Sequence, residues 1–183
     1  MSGLLNVLTA LFAHRVEGAE PRIVELETPI QIIGLEIETD RRCVYRDVSR
    51  LGRQLEAYKR EHDIPNKLEP WGFAAVSSGF DEGSGTFTYA MGDVVSSLDE
   101  LPDGLTGHTI PPGTYALFPV RPKNRFGWGF AIGHAKRYAF ETWLPESVYE
   151  PAGTVDDFEY HDERSTRKKD PEIDLYVAVR RRD

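Results

Sequence analysis

The feature that most limits the possible folds of this chain is an order of elements, strand, helix, strand, strand, that occurs twice. In the first copy, β-rich runs span residues 22–39 on either side of Thr28-Pro29, where a proline favours a bend or a sheet edge. Extended runs also cover residues 71–80 and 86–95, and the loop between them is typical of a hairpin. A helix is predicted over about 47–63, before Pro65, from the steps of 4, 3, 4 and 3 between Val44, Val48, Leu51, Leu55 and Tyr58.

The second copy repeats this order after the connector 96–106. It begins with residues 107–120, which bend at Pro111-Pro112-Gly113. Residues 157–163 form its third element, and clean alternation over residues 173–180 predicts a last strand with one buried face. Its helix is predicted over about 126–142 from the helical spacing of Trp128, Ile132, Ala135 and Ala139.

The duplication predicts an α+β fold in a single domain. We expect a mostly antiparallel sheet with two helices on one face and a central ligand groove where the halves meet. The domain would cover residues 21–183, its halves would be residues 22–95 and 107–181, and these halves should superpose. Residues 1–20 would be an N-terminal amphipathic extension.

The N-terminal extension has apolar residues at roughly helical spacing. We predict a short amphipathic helix over residues 3–14 that packs on the domain or on a second copy, which would make a homodimer possible; a role at a membrane surface is the alternative. Twelve residues are too few to cross a bilayer, and no basic residue precedes His14 as a signal peptide would require. With Cys43 as the single cysteine, these features favour the cytoplasm.

Composition and spacing exclude several function classes. Lys+Arg 22 against Asp+Glu 30 gives a net charge of −8, which disfavours nucleic acid and favours a cationic ligand. The five histidines contain no i,i+4 pair and the glycine clusters lack a phosphate-binding lysine, so we expect no metal and no cofactor. A solvated loop is predicted for the basic residues Arg164, Arg167, Lys168 and Lys169.

The most informative residues are acidic and aromatic. In the strand that starts at Asp157, Phe158 and Tyr160 share one face, and Glu159 and His161 share the other. If the aromatic residues fill the core under the helices, Glu159 is solvated; if the face is reversed, Glu159 lies in the groove. Alternation alone leaves both open. A carboxylate among aromatic rings can pair with an organic cation or act as a general acid or base.

Several motifs, in order, resemble the GyrI-like small-molecule-binding domain, which is also the effector-binding domain of AraC-type and MerR-type multidrug regulators. The resemblance covers about residues 21–181 and implies that Glu159 meets the positive charge of a ligand and that Trp128 forms a groove wall. The motifs are Pro21-Arg22-Ile23-Val24-Glu25-Leu26, Ile33-Gly34-Leu35-Glu36, Ile110-Pro111-Pro112-Gly113-Thr114-Tyr115-Ala116, Trp128, Phe158-Glu159-Tyr160 and Ile173-Asp174-Leu175-Tyr176-Val177-Ala178-Val179. The predicted ligand-binding residues are Glu159, Trp128, Trp71, Tyr89, Tyr115, Phe73 and His161.

The favoured function is binding of an amphipathic, cationic or aromatic small molecule. Two alternatives follow from the resemblance: a hydrolase that opens a strained cyclopropane with Glu159 as its catalytic residue, and an inhibitor of DNA gyrase. The twenty residues before the domain are too few for a helix-turn-helix, so direct transcriptional control is not expected unless a partner reads the DNA.

Overall fold

The structure, a computed structural model, describes residues 20–122 and 127–182, and the backbone of residues 13–14. The strands in these ranges are β1 (Ala13–His14), β2 (Arg22–Leu26), β3 (Ile30–Asp40), β4 (Phe73–Ser78), β5 (Thr86–Val95), β6 (Thr106–Ile110), β7 (Gly113–Pro122), β8 (Tyr149–Pro151), β9 (Asp157–His161) and β10 (Ile173–Arg181). The helices are α1 (Val44–Glu61), α2 (Trp128–Tyr138) and α3 (Leu144–Glu146), with a π-helical turn over Ala139–Trp143 and a 3-10 turn over Glu163–Thr166.

The predicted α+β class is confirmed. The described strands form one sheet in the order β1-β7-β10-β9-β4-β5-β3-β6, with β2 also paired to β7 and β8 to β10. Every pairing between these strands is antiparallel. The predicted order recurs as β3-α1-β4-β5 and β7-α2-β9-β10, and the ladder between β4 and β9 joins the two halves. Superposition of the halves stays a prediction.

One face of the sheet is covered by the two helices. Leu51 and Leu55 of α1 pack on Ile33 and Met91, at the β3 and β5 side. Ala131 and Ala135 of α2 pack at the β7 and β10 side, against a group that includes Phe118, Leu175 and Val177. The spacing of apolar residues therefore places each helix on its own half of the sheet.

The opposite face is buried as well. Ile32, Ile110, Tyr115 and Phe158 belong to a second core that draws on strands from both halves. β6 and β7 lie at distant positions in the sheet order, yet only Pro111 and Pro112 separate them in sequence. The sheet must therefore curl, and this second core lies on its inner side.

The curl corrects the prediction for the last strand. We expected β10 to have one buried face, but Leu175 and Val177 are buried toward α2 while Asp174 and Ala178 are buried on the other side. Alternation of apolar and polar residues indicates which face is more apolar. It cannot show that a polar residue such as Asp174 is also covered.

Two further predictions need correction. Ala13 and His14 pair with Pro122 and Arg121 of β7, so the predicted N-terminal helix cannot include them; residues 1–12 lie outside the described residues. Arg164 is not part of a solvated loop, because its guanidinium pairs with Asp162, Glu172 and Asp174. Within the described ranges no helix combines the length and the apolar character needed to cross a membrane.

Candidate functional site

The two helices pack on different strands of their sheet face. α1 packs on β3 and β5, and α2 packs on β7 and β10, so β4 and β9 lie between the helices. We call the helix-facing residues of β5, β4 and β9 the central strip. Its three cross-strand rows are Tyr89, Ser77 and Asp157; Met91, Ala75 and Glu159; and Asp93, Phe73 and His161.

A buried ion-pair cluster occupies two rows of the central strip. The Lys136 side chain extends from α2 toward the sheet, and its Nζ lies 2.8 Å from Asp157 Oδ1 and 2.9 Å from Glu159 Oε1. Both carboxylates are buried, with Glu159 only 5% exposed. A buried carboxylate is costly without a partner of opposite charge, and Lys136 provides that partner for both.

Two neutral side chains complete the cluster. Lys136 Nζ donates to Ser77 Oγ at 3.3 Å, and Ser77 Oγ donates to Asp157 Oδ1 at the same distance. The Tyr89 hydroxyl donates to Glu159 Oε1 at 3.4 Å, and Lys136 Nζ lies 5.5 Å from the centroid of the Tyr89 ring. We call Ser77, Tyr89, Lys136, Asp157 and Glu159 the lysine–carboxylate cluster.

Charge decides the protonation states in this cluster. Burial alone would raise the pKa of Glu159, but the Lys136 ammonium and His161 together lower that pKa to about 2. Burial raises the pKa of Asp157, and Lys136 offsets this only in part. Burial would lower the pKa of Lys136, but the two carboxylates hold it well above its usual value. With both carboxylates ionised, two negative charges face one ammonium.

Aromatic side chains extend the central strip beyond the cluster. The His161 ring lies 5.4 Å from the Phe73 ring, edge on, and 6.0 Å from the Trp128 ring at the start of α2. His161 Nε2 is 3.9 Å from Glu159 Oε2. Glu159 therefore has the ammonium of Lys136 on one side and this aromatic group on the other.

The structure decides between the two orientations that alternation left open. Glu159 and His161 face the helices, and Phe158 lies on the inner side of the curled sheet. Of the two alternatives, the one with Phe158 under the helices is not observed, because this sheet has a core on each face and Phe158 fills the one away from the helices. Five predicted residues come together in or beside the central strip: Glu159, Tyr89, Phe73, His161 and Trp128.

The other two predicted residues lie outside the three rows of the central strip. Tyr115 is fully buried in the inner core, where its ring lies 5.2 Å from the Phe158 ring and its hydroxyl donates to the Pro111 carbonyl at 2.7 Å. The prediction that Tyr115 lines the groove needs correction. At its position on β7 the side chain lies on the face of the sheet away from the helices. Trp71 lies in the turn before β4 and is 38% exposed.

Sequence reasoning missed Lys136, Asp157 and Ser77. Lys136 follows Trp128 by eight residues and Ile132 by four, so helical spacing puts all three on one side of α2. Asp157 and Ser77 lie two residues from Glu159 and Ala75 on their strands, and so share their face. The described residues contain no group of three or more His, Cys, Asp or Glu that could hold a metal ion.

Comparison with known proteins gives one family match. The family described as integron-associated effector binding protein matches residues 22–179, which is most of the chain. No curated protein matches this sequence significantly.

Several solved structures share the fold. An integron cassette protein from the mobile metagenome of Vibrio cholerae is 14% identical with a TM-score of 0.58, covering 88% of this chain and 96% of that one. The protein SAV2435, solved bound to tetraphenylphosphonium, is 11% identical with a TM-score of 0.66, covering 88% and 94%. A Staphylococcus aureus MU50 protein, described as a putative bacterial transcription regulation protein, is 12% identical with a TM-score of 0.61, covering 89% and 99%.

Proposed function

The chain belongs to the integron-associated effector binding protein family, within the GyrI-like effector-binding fold, and from that premise we propose that it binds an amphipathic organic cation. The ligand would lie over the central strip between α1 and α2. Membership in an effector-binding family already makes the chain a small-molecule-binding protein. The proposal adds the charge of the ligand and the place where it binds.

The observation that carries the proposal is that two buried carboxylates, Asp157 and Glu159, share the single ammonium of Lys136. Asp157 and Glu159 are both buried, and the Lys136 ammonium compensates only one of their two charges. An organic cation could balance the other charge while its apolar part covers Phe73 and Trp128. Desolvated cations gain from both a counter-ion and aromatic faces.

A second support comes from the structural relatives. SAV2435 was solved with tetraphenylphosphonium, an aryl cation without polar groups. That ligand belongs to SAV2435, and at 11% identity it defines no contact in the present chain. It nevertheless makes tetraphenylphosphonium a reasonable first probe.

Binding fits the state of Glu159 better than acid catalysis does. Lys136 and His161 lower the pKa of Glu159 to about 2, so this carboxyl carries no proton to donate near neutral pH. The predicted hydrolase requires Glu159 to exchange a proton with a strained electrophile. A permanently ionised carboxylate is suited to pairing with a cation instead.

Location and partners complete the proposal. We place the protein in the cytoplasm, in keeping with its single cysteine, and expect no direct nucleic-acid contact because of its net charge of −8.

Isothermal titration with two ions of similar shape and opposite charge tests the proposal. Tetraphenylphosphonium should bind, and tetraphenylborate should bind far more weakly. Glu159→Gln should weaken binding of the cation by about 2–5 kcal/mol, the usual cost of breaking a buried charge pair. The control is Glu38→Gln, since Glu38 is an exposed strand residue whose replacement makes the same change in net charge. Equal affinity for both ions, or equal effects of the two variants, would contradict the proposal.

A further inference from the structure

The Lys136 ammonium has the full set of partners that a primary ammonium can use. An –NH₃⁺ group has three N–H donors. Three acceptors surround Lys136 Nζ: Asp157 Oδ1 at 2.8 Å, Glu159 Oε1 at 2.9 Å and Ser77 Oγ at 3.3 Å. The centroid of the Tyr89 ring lies 5.5 Å from Lys136 Nζ. The acceptors come from two neighbouring strands, so the sheet itself fixes their positions.

Lys136 is also the member of this cluster that can leave most easily. Its side chain is 23% exposed, against 5% for Asp157 and 6% for Glu159. The ammonium is attached to α2 through a flexible four-carbon stem, whereas the carboxylates are on short side chains in the middle of the sheet. Rotation of that stem would release the ammonium to water without any change in the backbone.

We propose that Lys136 occupies the place of the ligand's head group and that the ligand is an amphipathic primary amine. On binding, the amine's –NH₃⁺ replaces the Lys136 ammonium at Asp157, Glu159 and Ser77, and its apolar part lies against Phe73 and Trp128. This inference rests on the proposed function for the place and the sign of the ligand. It replaces the charge balance given there, because the amine takes over the charge that Lys136 compensates and the net charge of the cluster does not change.

Hydrogen bonding distinguishes a primary amine from other organic cations. A quaternary ammonium or phosphonium carries the charge but has no N–H donor. If it displaced Lys136, three buried acceptors would each lose the hydrogen bond that Lys136 donates, which is unfavourable even when the charge is balanced. A primary amine restores all three. Lys136 thus competes with every cation and selects for those that can donate.

The test compares 2-naphthylmethylamine with its N,N,N-trimethyl derivative by isothermal titration. Lys136→Met removes the competing ammonium, and we expect the primary amine to bind at least about tenfold more tightly than to the native protein. The affinity of the quaternary derivative should increase less on the same substitution. Lys59→Met is the matched control, because Lys59 is also 23% exposed and bonds a buried aspartate, Asp93, at 2.8 Å. Unchanged affinity in Lys136→Met, or equal gains for both probes, would overturn the inference.

A charge-matched variant separates competition from simple attraction. Lys136→Met alone leaves two carboxylates and so attracts any cation more strongly. The double variant Lys136→Met with Asp157→Asn returns the cluster to one negative charge, as in the native protein. We expect it still to bind the primary amine more tightly than the native protein does. A return to native affinity would mean that only net charge had changed, and would refute the inference.

The native protein supplies an independent measurement should either variant fail to fold. In protein labelled with ¹⁵N-lysine, the Lys136 ammonium resonance, assigned by its loss in Lys136→Arg, should change to that of a solvated lysine when 2-naphthylmethylamine saturates the site. The Lys59 resonance should stay unchanged. An unaffected Lys136 resonance at saturation would overturn the inference while leaving the proposed function standing. Failure of every cation to bind any variant would instead refute the proposed function.

Discussion

The hydroxyl of Tyr45, in the first turn of α1, lies against Gly133 of α2. The Tyr45 ring also lies near Gly129, one helical turn earlier, so two glycines four residues apart form a flat notch that receives this ring. A Cβ on Gly133 would stand in the place of the Tyr45 hydroxyl, whereas a Cβ on Gly129 would make an ordinary contact at 3.9 Å. Tyr45 thus joins the two helices beside the central strip.

Alanine at these glycines should show the contact between Tyr45 and Gly133 as a coupling energy in the free energy of unfolding. Alanine in place of a helical glycine stabilises by up to about 1 kcal/mol, so Gly129→Ala should raise the free energy of unfolding in the native protein and in Tyr45→Ala alike. Gly133→Ala displaces the Tyr45 hydroxyl, so its effect should be less favourable in the native background than in Tyr45→Ala, by about 0.5–1 kcal/mol. Urea unfolding of the four single and double variants, with the two parents, measures both differences. Absence of coupling at Gly133 would contradict the contact.

Arg164 should matter far more to stability than its basic neighbours do. Its guanidinium pairs with Asp162, Glu172 and the buried Asp174, and so holds the 3-10 turn against β10. Arg164→Met would leave Asp174 without its charge partner. Because Arg164 is 24% exposed, we expect a loss of about 2 kcal/mol in the free energy of unfolding, below the value for a fully buried pair.

The control for this prediction is Arg167→Met. Arg167 is 54% exposed and lies 4.0 Å from Glu163, so its removal should change stability by no more than about 0.5 kcal/mol. Lysine at position 164 should restore only part of the loss, because it cannot reach three carboxylates with a planar fork. Equal effects of the Arg164 and Arg167 substitutions in urea unfolding would show that the 3-10 turn does not depend on the ion pairs of Arg164.

Local patterns in the sequence were sufficient for the main helices and the long strands of this fold, because a regular element repeats its apolar positions at a fixed spacing along the chain. The steps among Val44, Leu51 and Leu55 indicated α1, and the run from Thr86 to Val95 indicated β5. The curl of the sheet produces no periodic pattern of apolar residues in the sequence. It depends on how β6 and β7 reach distant sheet positions across a two-residue turn, and it determines that Tyr115 and Phe158 have a core of their own.

Residues of the candidate site were predicted where a resemblance named them and were missed where contacts cross between elements. Glu159 and Trp128 followed from family motifs. Lys136 meets Asp157 and Ser77 only after α2 is placed over β9 and β4, and no spacing along the chain relates positions 77, 136 and 157. The charge of Lys136 in a helix otherwise suggests an exposed residue.

Acidification should act on the two carboxylates of the cluster in opposite directions. The pKa of Glu159 is lowered from 4.5 to about 2 by Lys136 and His161, so its ionisation stabilises the folded state above about pH 4.5. That stabilisation is lost as the pH falls toward 2. The pKa of Asp157 is raised by burial, so its ionisation costs stability as the pH rises through that value.

Urea unfolding between pH 3 and pH 7 measures these effects on Glu159→Gln and Asp157→Asn. The difference in unfolding free energy between the native protein and Glu159→Gln should shrink as the pH falls. The corresponding difference for Asp157→Asn should move in favour of the native protein. Parallel pH profiles for the two variants would mean that Lys136 does not distinguish the two carboxylates.

The two tryptophans that the sequence assigned to the ligand site should now behave differently. Trp128 begins α2 and lies beside His161, whereas Trp71 lies in the turn before β4. Trp128→Ala removes an aromatic face from the proposed site, so it should weaken binding of both tetraphenylphosphonium and neutral triphenylphosphine oxide by about 1–2 kcal/mol. Trp71→Ala should change neither affinity by more than about 0.5 kcal/mol. Isothermal titration of both variants with both probes measures the four effects. A loss in Trp71→Ala as large as that in Trp128→Ala would move the ligand toward the β4 turn.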